Sequence, residues 1–367
     1  MPTSAERRAL VRRASFLGRG PVAARVKALG FTEHGDWKNL KLVELPTPEP
    51  GPGEVRIRVR HAALNRLDLF VLKGWKGLEL EMPHVGGSDV AGEVDQVGAG
   101  VAGWARGDRV VLYPSTSCGH CEHCRRGEVS LCQHHRLFGE HQRGGFAEYL
   151  VVPAKNLLRV PDGFPLRDAA AASLVFLTAW RMLVSRGRLR AGESVLVVGA
   201  AGGVNSAATQ IAKLAGATPV FATATSKEKG DLARRLGADH VFDAHGDWHK
   251  DVFAATGKRG ADIVVDNVGA ATWPKTLRAV ARGGRVLTVG GTTGYDPPAQ
   301  LNQLFWKQVS VIGSTMGDPH EFETVMRLVF EGRLKAVVDQ EFPLERGADA
   351  YRRLAEGENQ GKLLLAP

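Results

Sequence analysis

The stretch Val195-Leu196-Val197-Val198-Gly199-Ala200-Ala201-Gly202-Gly203-Val204 decides the fold of this chain. Its four leading apolar residues predict a short buried strand, and the residues after the glycines predict a helix that continues to Leu214. A glycine-rich loop between a buried strand and a helix is typical of dinucleotide sites, because the backbone can approach a pyrophosphate and the helix N-terminus stabilises its charge. The residues that we predict to contact cofactor phosphates here are Gly199, Gly202, Gly203 and Val204. Asn205 stands where a further glycine usually lets the helix pack on the strand, so we expect the helix to lie slightly farther out.

The segments on either side of this loop indicate two kinds of sheet. On the C-terminal side, apolar strands alternate with longer helices as far as a strand predicted at 308–313, which is typical of a parallel, doubly wound sheet. On the N-terminal side, apolar and polar residues alternate in Val55–Arg60 and short strands continue to Leu112, which predicts an antiparallel, barrel-like domain. A helix at 321–330 and a strand at 362–365 are predicted to return to this first domain.

The predicted fold class is therefore α/β with two domains, in line with a length of 367 residues. We predict an N-terminal extension over residues 1–25, weakly helical or disordered. The first domain is predicted over residues 26–158 and 320–367, with a small lobe at 113–140. The cofactor domain is predicted over residues 159–319. No apolar run is predicted to reach the length that spans a membrane.

All four cysteines lie within one short segment, with the spacing C-x2-C-x2-C-x7-C. Four thiolates this close can surround one Zn²⁺ tetrahedrally and leave no coordination position open, so the pattern predicts a structural zinc and not a catalytic one. The alternative is two local disulfides, but the chain shows no secretory apolar segment and such dense spacing favours a metal. The predicted ligands are Cys118, Cys121, Cys124 and Cys132.

The net charge is +9, and six of these charges belong to residues 1–30. The rest of the chain is only weakly basic, so we predict no nucleic-acid surface and no membrane partner. A twin-arginine-like pair at 12–13 is not followed by an apolar segment, and we predict a cytoplasmic protein. The extension is open to three interpretations: a basic arm for an acidic partner, a targeting segment, or a passenger before the folded domain, which we favour.

The second strand of the cofactor domain indicates which dinucleotide is bound. In NAD sites, an Asp or Glu near the end of this strand binds the ribose 2′-hydroxyl. No acid ends the strand here, and Ser226 and Lys229 follow where a 2′-phosphate would lie. We therefore predict NADP(H) in preference to NAD(H). The alternative is that Lys229 and its neighbour Lys227 are only solvated residues of a first helical turn.

Several motifs together resemble the medium-chain dehydrogenase/reductase superfamily. They are the cysteine lobe, the glycine loop, Leu236–Val241, Gly86–Val94, Gly107–Val110 and Gly145–Tyr149. The resemblance runs from about Val26 to the end and implies a GroES-like catalytic domain, a Rossmann cofactor domain, and an active site in the cleft between them. It also implies further cofactor contacts at Thr178, Asn267, Gly269, Gly290 and Lys362, the last of these toward the phosphates.

The same resemblance allows a prediction of whether a second, catalytic zinc is present. Zinc alcohol dehydrogenases have a Cys where this chain has Asn65, and a Gly-His-Glu motif where it has Gly87-Ser88-Asp89. Asn and Ser bind Zn²⁺ poorly, so we predict that no catalytic zinc is present. The run from Leu64 to Asp68 resembles instead the quinone oxidoreductases, which work without a catalytic metal.

Without a Lewis acid, a quinone or an α,β-unsaturated carbonyl is a better substrate than a saturated alcohol, because delocalisation carries the negative charge to the oxygen. We predict that the Asn65 amide donates a hydrogen bond to that oxygen. Arg66 is predicted to help electrostatically, and Asp68 to orient the loop or contact the cofactor. The alternatives are that Asn65 caps a turn and that Asp68 caps the helical turn after it.

Two other functions stay open. A zinc-dependent alcohol dehydrogenase with atypical ligands would use Asp68, Asp89 or His84 and carry a second metal. A non-enzymatic nucleic-acid-binding protein would need a basic face on the folded part, which the charge distribution does not provide. As in the family that the chain resembles, the edge strand at 308–313 is predicted to pair with its copy in a homodimer or homotetramer.

Overall fold

The computed structural model describes residues 24–367. The predicted N-terminal extension, residues 1–25, lies outside the described residues except for its last two positions. Most strands of the first domain are antiparallel neighbours around one apolar core. They are β1 (Arg25–Phe31), β2 (Lys41–Pro46), β3 (Glu54–Ala63), β4 (His84–Val85), β5 (Asp89–Val97), β6 (Arg109–Leu112), β7 (Ser115–Thr116), β8 (Arg136–Leu137), β9 (Tyr149–Pro153) and β10 (Leu157–Arg159).

The alternating burial along β3 explains why this segment forms a strand of a sheet. Val55, Ile57 and Val59 are buried while the residues between them are not, because successive side chains of a strand point to opposite faces. β3 pairs with β5 on one side and β9 on the other. β1 lies between β2 and β4 in a separate small sheet, and β7 pairs with β8 beside the cysteines.

The cofactor domain holds a parallel sheet. Its strands are β11 (Val195–Val198), β12 (Val220–Ala224), β13 (His240–Asp243), β14 (Ala261–Asp266), β15 (Val280–Thr288) and β16 (Ser310–Gly313). Their order is β13-β12-β11-β14-β15-β16, the order of dinucleotide-binding folds, with the topological switch between β11 and β14. All four residues of β11 are buried, since helices cover both faces of the sheet.

The chain then returns to the first domain. Strands β17 (Val338–Pro343) and β18 (Lys362–Ala366) complete the large sheet in the order β10-β6-β5-β3-β18-β17. Leu364 of β18 lies opposite Ala63 of β3. This pairing places Lys362, the first residue of β18, near the end of β3 and the start of α1 described below.

The helices mostly cover the two sheets. They are α1 (Arg66–Lys73), α2 (Glu122–Arg125), α3 (Leu166–Trp180), α4 (Gly203–Leu214), α5 (Lys227–Arg235), α6 (Trp248–Ala255), α7 (Trp273–Ala279), α8 (Leu301–Lys307), α9 (Pro319–Phe330) and α10 (Gly347–Ala355). Single 3₁₀ turns occur at Trp37–Asn39, Val129–Leu131, Ala154–Asn156 and Leu344–Arg346.

Helix α3 joins the two domains. Every residue from Ala169 to Ala179 is buried, and the helix packs against β3 and β5 of the first domain and against α4 and α9. With its π-helical continuation it spans Leu166–Arg186, 21 residues that are long and apolar enough to cross a membrane. This corrects the expectation that no apolar run has that length. In its most apolar 18-residue window, 78% is buried inside the protein, as in a core helix.

Candidate functional site

The four cysteines come together as the spacing predicts. Their sulfur atoms all lie within 4.8 Å of one another, and within residues 24–367 they are the one group of three or more His, Cys, Asp or Glu ligand atoms this close. The Cys118–Cys132 and Cys118–Cys124 sulfur distances, 3.5 and 3.9 Å, are too long for disulfides. They are close to the roughly 3.8 Å edge of a tetrahedron with Zn–S bonds of about 2.3 Å. The lobe therefore fits a structural Zn²⁺ held by four thiolates.

Backbone donors surround these sulfurs. The N–H of Cys121 lies 3.4 Å from Cys118 Sγ, and the N–H of Cys124 lies 3.5 Å from Cys121 Sγ. Hydrogen bonds from the backbone at His120 and Cys121 lower the pKa of the Cys118 thiol to about 6. The thiolate, which is the form that binds a metal, is thus favoured at Cys118.

The zinc lobe is anchored where α3 and α9 meet. Asp318, the N-cap of α9, accepts the backbone N–H of Ser130 at 2.9 Å through Oδ1 and pairs with Arg181 through Oδ2. Arg181 also donates to Glu321 Oε2 at 2.8 Å, and the Arg181, Asp318 and Glu321 side chains are all at least nine-tenths buried. Tyr113, beside the lobe, donates its hydroxyl to Gly317 O at 2.8 Å. The lobe is therefore bonded to the junction between the domains.

The predicted phosphate loop lies at the C-terminal end of β11, at the switch point of the sheet. Gly199 has a φ of 79°, which favours glycine. Gly203 has little room for a side chain, since a Cβ there would lie 3.0 Å from the Cδ of Lys362. Gly202 is the N-cap of α4, and the N–H groups of the first turn have no helical carbonyl before them. The loop therefore fits the pyrophosphate of a nicotinamide dinucleotide.

Asn205 has a role that the sequence did not indicate. Its buried amide donates to Val198 O at 2.7 Å and Gly199 O at 3.0 Å. Its Oδ1 accepts a 2.8 Å hydrogen bond from Asn267 Nδ2, and Asn267 Oδ1 accepts the N–H of Val289 at 2.8 Å. The two amides thus tie together the ends of β11, β14 and β15. A buried amide requires partners, which was the available signal, but the sequence does not say where they lie.

The end of β12 carries the residues predicted to select the dinucleotide. Ser226 is the N-cap of α5 and accepts the N–H of Lys229 at 3.3 Å. Lys229 Nζ donates to Gly357 O at 2.9 Å, while Lys227 Nζ pairs with Asp231 at 2.6 Å. Lys229 therefore faces the first domain, and Lys227 forms an exposed pair on its own helix.

Asn65, Lys362 and Asp89 form a buried triangle of hydrogen bonds. Lys362 Nζ donates to Asn65 Oδ1 at 2.5 Å and to Asp89 Oδ2 at 2.7 Å. Asn65 Nδ2 donates to the same Asp89 oxygen at 2.9 Å, and the other Asp89 oxygen accepts the N–H of Leu174 at 2.6 Å. Lys362 is only 3% exposed. Its stem passes the phosphate loop at Gly203, but its ammonium faces Asp89.

This donor set does not fit a catalytic zinc. Asn65 stands where the zinc alcohol dehydrogenases that the chain resembles have a Cys, and Ser88, where they have the His of Gly-His-Glu, donates its hydroxyl to Phe138 O at 2.7 Å. A lysine ammonium bridges Asn65 and Asp89, the residue after Ser88. A Zn²⁺ would have to displace that cation, because two positive charges at this distance repel each other in a dry site. Asp68 and His84 do not join Asp89 in a cluster of ligand atoms within the described residues. His84 Nε2 lies instead 3.1 Å from Gly139 O.

Asp68 holds the loop before α1. Its carboxylate accepts the N–H of Asn65 at 2.7 Å and the N–H of Gly87 at 3.0 Å. Complete burial raises the pKa of Asp68 to about 6, although these two N–H groups and the Lys362 charge act in the opposite direction. Asn65 is the N-cap of α1 and Asp68 its third residue, and the cap interaction that the sequence left open is present at Asp68, whose carboxylate accepts the N–H of Asn65. The side-chain oxygen of Asn65 is bonded to Lys362 instead.

Arg66 lies on the cofactor side. Burial lowers its pKa, and its Nη2 would lie 3.7 Å from a Cβ on Gly357. Gly357 belongs to the segment before β18, in which the N–H of Gly361 donates to Ala201 O of the phosphate loop at 2.8 Å. Arg66 thus points to the segment that joins the phosphate loop to the first domain.

Of the other predicted contacts, Gly269 and Gly290 follow strands β14 and β15 of the parallel sheet, whereas Thr178 lies in α3. Thr178 Oγ1 is buried 4.0 Å from Met316 Sδ. Gly269 has a φ of 90° and donates its N–H to Asp266 Oδ1 at 3.1 Å. Gly290 follows β15 at the level of Asn267, with its N–H 3.5 Å from Thr288 Oγ1.

Comparisons with known proteins agree with this architecture. The sequence model of the alcohol dehydrogenase GroES-like domain matches residues 51–162, and that of the zinc-binding dehydrogenase family matches residues 203–331. An acryloyl-coenzyme A reductase of Sulfurisphaera tokodaii is 32% identical over 339 residues, 91% of this chain and 98% of that protein. An NAD-dependent alcohol dehydrogenase of the same organism is 29% identical and covers 93% of this chain and 100% of its own length.

A solved structure described as an NAD-dependent alcohol dehydrogenase is 44% identical, with a TM-score of 0.90 over 93% of this chain and 99% of that one. The predicted GroES-like and Rossmann folds are confirmed by these matches. The chain is an oxidoreductase of the medium-chain dehydrogenase/reductase superfamily, with a nicotinamide cofactor domain and a four-cysteine zinc lobe.

Proposed function

We propose that this protein transfers hydride from NAD(P)H to a conjugated carbonyl compound, an α,β-unsaturated carbonyl or a quinone, without a catalytic zinc. The observation that carries the proposal is the Lys362 ammonium, 2.5 Å from Asn65 Oδ1 and 2.7 Å from Asp89 Oδ2. A protein cation thus lies between Asn65, at a position where zinc alcohol dehydrogenases have a Cys, and Asp89, at the Glu position of their Gly-His-Glu motif. The acryloyl-coenzyme A reductase relative supports this substrate class, since its name is that of an enzyme acting on an α,β-unsaturated thioester.

The bound cofactor supplies the hydride, and this chain supplies orientation and charge. Asn65 Nδ2 has two N–H groups, of which one is donated to Asp89. We propose that the other one binds the substrate oxygen. Lys362 fixes the amide orientation by donating to Asn65 Oδ1, and its buried charge lowers the energy of an oxygen that becomes negative.

Arg66 and Lys229 are proposed to act on the cofactor. Both approach Gly357, on the segment that is bonded to the phosphate loop. A desolvated guanidinium at this place suits a phosphate anion better than a substrate carbonyl. We therefore propose the cofactor phosphates as the partner of Arg66. With no acid at the end of β12, NADPH remains the proposed dinucleotide, with Ser226 and Lys229 near its 2′-phosphate.

A homodimer through β16 is also proposed. This strand is the edge of the parallel sheet, and Phe305 and Trp306 of the preceding helix are 65% and 68% exposed. An unpaired edge beside exposed aromatic side chains is typical of a surface that another chain covers.

The second candidate is alcohol oxidation with a zinc at atypical ligands, favoured by the alcohol dehydrogenases among the relatives. The experiment that separates the two combines elemental analysis with turnover on one purified sample. One zinc per chain, with oxidation of NADPH by cyclohexenone, crotonyl-CoA or benzoquinone, is expected. Two zincs, with oxidation of ethanol or benzyl alcohol that a chelator abolishes without unfolding, would overturn the proposal.

A further inference from the structure

A cavity of about 450 Å³ lies among three helices of the cofactor domain. Helix α6 lines most of it, α7 and α8 contribute one residue each, and one more residue follows α6 in the turn after it. The lining residues are His249, Lys250, Phe253, Ala254, Lys258, Arg278 and Lys307. The volume falls in the range of about 300–1,000 Å³ that sites for small molecules occupy.

This cavity is not the dinucleotide site. Arg278 lies near the C-terminal end of α7, just before Val280, which begins β15 and pairs with Ala261 at the start of β14. Dinucleotides bind at the opposite edge of such a sheet, outside the carboxyl ends of the strands. The other end of α7 is at that edge, since Thr272 Oγ1 donates to Asp266 Oδ1 at 2.9 Å. A ligand in the cavity therefore leaves the cofactor site free.

The charged residues of the lining are all basic. Lys250 Nζ is neutralised by Asp247 at 2.6 Å. Lys307 Nζ is held at 2.9, 2.7 and 3.0 Å by the carbonyl oxygens of Leu277, Arg278 and Val280. The other two cations, Lys258 and Arg278, are exposed and form no ion pair with any of residues 24–367. Two cations of the lining are thus available to an anion.

The surface between these cations is mostly apolar. The ring of Phe253 is half-buried, and Lys307 Nζ lies 5.4 Å from its centroid. The N–H of Lys258 donates to Phe253 O at 2.6 Å, which holds the turn that carries Lys258 against α6. An inorganic anion would leave the apolar surface in water, whereas an anion with an apolar body would cover it.

His249 is a second observation in favour of a ligand. It is 7% exposed, and its Nδ1 is buried without a hydrogen-bond partner among the residues that the structure describes. Buried polar groups ordinarily have such a partner. Burial lowers the pKa of His249, and the charges of Arg278 and Lys250 add to this effect, against the opposite effect of Asp247. The surroundings of the imidazole are therefore electropositive.

We propose that this cavity binds a small organic anion with an apolar body, namely an aromatic or medium-chain carboxylate. Arg278 and Lys258 bind the carboxylate, for which a guanidinium offers two parallel hydrogen bonds. Phe253 packs against the apolar body, and the fixed ammonium of Lys307 favours the negative charge. The site does not depend on the reaction proposed above, and a ligand occupies it together with the dinucleotide.

The test is calorimetric titration of the protein, saturated with its nicotinamide dinucleotide, with 4-phenylbutyrate. Saturation fills the phosphate loop, which also favours anions. We expect one ligand per chain, bound about fivefold or more weakly by Arg278→Gln/Lys258→Gln, which lacks the ion pairs, and by Phe253→Ala, which lacks the apolar contact. Arg235→Gln, at an exposed arginine of α5, is the matched control and should stay within about twofold of the wild type.

Two further readouts test the ligand class and the location. Neutral 4-phenylbutanol and the small anion acetate should each bind about fivefold or more weakly than 4-phenylbutyrate, because each lacks one of the two features. In NMR spectra, the ring protons of His249 should shift when 4-phenylbutyrate is added. Those of His240, exposed on the edge strand β13, should not.

Equal binding by the wild type and the cavity variants would place the anion elsewhere and overturn the inference. Equal binding of 4-phenylbutanol and 4-phenylbutyrate would overturn the anionic class. If 4-phenylbutyrate does not bind and the double variant changes the sedimentation coefficient, the face is a contact between copies of this chain, and the inference is also overturned. None of these results bears on the reduction of conjugated carbonyls, which is measured separately.

Discussion

The backbone N–H of Ser130, two residues before the ligand Cys132, donates to Asp318 Oδ1 at 2.9 Å across the junction of the two domains. The same carboxylate binds Arg181 of the π-helical turn through its other oxygen. The metal lobe is therefore bonded to the same carboxylate that caps α9 and neutralises a buried arginine. A change at the metal can therefore reach this junction through the hydrogen bond between Ser130 and Asp318.

Cys121→Ser is expected to release the zinc and unfold the lobe, lowering the thermal unfolding temperature. The residues of the cleft do not depend on these sulfurs, so NADPH should still bind. Zinc per chain, the melting temperature and NADPH affinity are the three measurements. A variant that keeps one zinc would contradict the four-thiolate site.

Asp318→Ala should destabilise the protein by about 3 kcal/mol, because it removes a partner of the buried Arg181 and the cap of α9. Hydrogen exchange should also become faster at Ser130 and its neighbours. Asp162→Ala, at an exposed position, is the control and should change neither quantity. Unchanged exchange at Ser130 would show that the lobe does not depend on this anchor.

Lys362→Met should cost about 3–5 kcal/mol of unfolding free energy, since it leaves the Asp89 carboxylate buried without its cation. The double variant Lys362→Met/Asp89→Asn should be less destabilised than the sum of the two single variants, because no charge then remains buried. Urea unfolding of the four proteins measures this coupling. Strict additivity would mean that the pair does not interact.

Asn65→Ala is expected to lower kcat with little change in NADPH affinity, because the amide is proposed to bind the substrate oxygen. The matched control is Asn302→Ala at an exposed position of α8. Steady-state kinetics with cyclohexenone, together with NADPH titration, distinguishes the effects. Turnover at the normal rate would show that Asn65 is not the donor.

Lys229→Ala should raise the KM for NADPH more than that for NADH. The lost cation is proposed to contact the 2′-phosphate, which NADPH carries and NADH lacks. Lys227→Ala, two residues earlier and paired with Asp231, should leave the ratio nearly unchanged. Kinetics with both dinucleotides provides the test. An equal rise in both KM values would assign Lys229 to domain contact through Gly357 alone.

The contribution of Asp68 and Glu140 to stability should fall as pH rises from about 4 to 7. The described histidines whose pKa is lowered act in the opposite direction, so a single variant is needed to isolate this contribution. The folded-state pKa values of Asp68 and Glu140, about 6 and about 7, lie above the ordinary values of 3.8 and 4.5. At these two carboxyls the folded protein therefore binds more protons than the unfolded chain in this window, and the linkage relation makes their contribution to the slope negative. Glu140→Gln should flatten the upper part of the decline in urea unfolding between pH 5 and 8. An identical slope in the variant would show that Glu140 ionises normally.

The fold and the metal lobe follow from local sequence patterns. The run from Val195 to Val204 determines the strand, loop and helix of the cofactor site, and the cysteines are close in sequence as well as in space. Both features rest on neighbours along the chain, so periodicity and spacing are sufficient to find them. The match to the superfamily confirmed them.

The Asn65–Lys362–Asp89 triangle cannot be found from local patterns. Asn65 and Asp89 are 24 residues apart, whereas Lys362 is separated from Asp89 by 273 residues. The sequence around Lys362 does not show whether its ammonium binds a phosphate or a carboxylate. The pairing of β18 with β3 decides between them, and that pairing is a property of the whole fold.

The position of β18 between β3 and β17 also determines when the first domain can be completed during translation. A ribosome that adds about 5–20 residues per second needs about 14–55 s to pass from Asp89 to Lys362, 273 residues later. Throughout that interval the nascent first domain lacks strand β18 and the cation for Asp89. The parallel-sheet domain is translated within the same interval, so it can fold while its host is unfinished. The Asn65–Asp89–Lys362 triangle therefore cannot form before Lys362 has been translated.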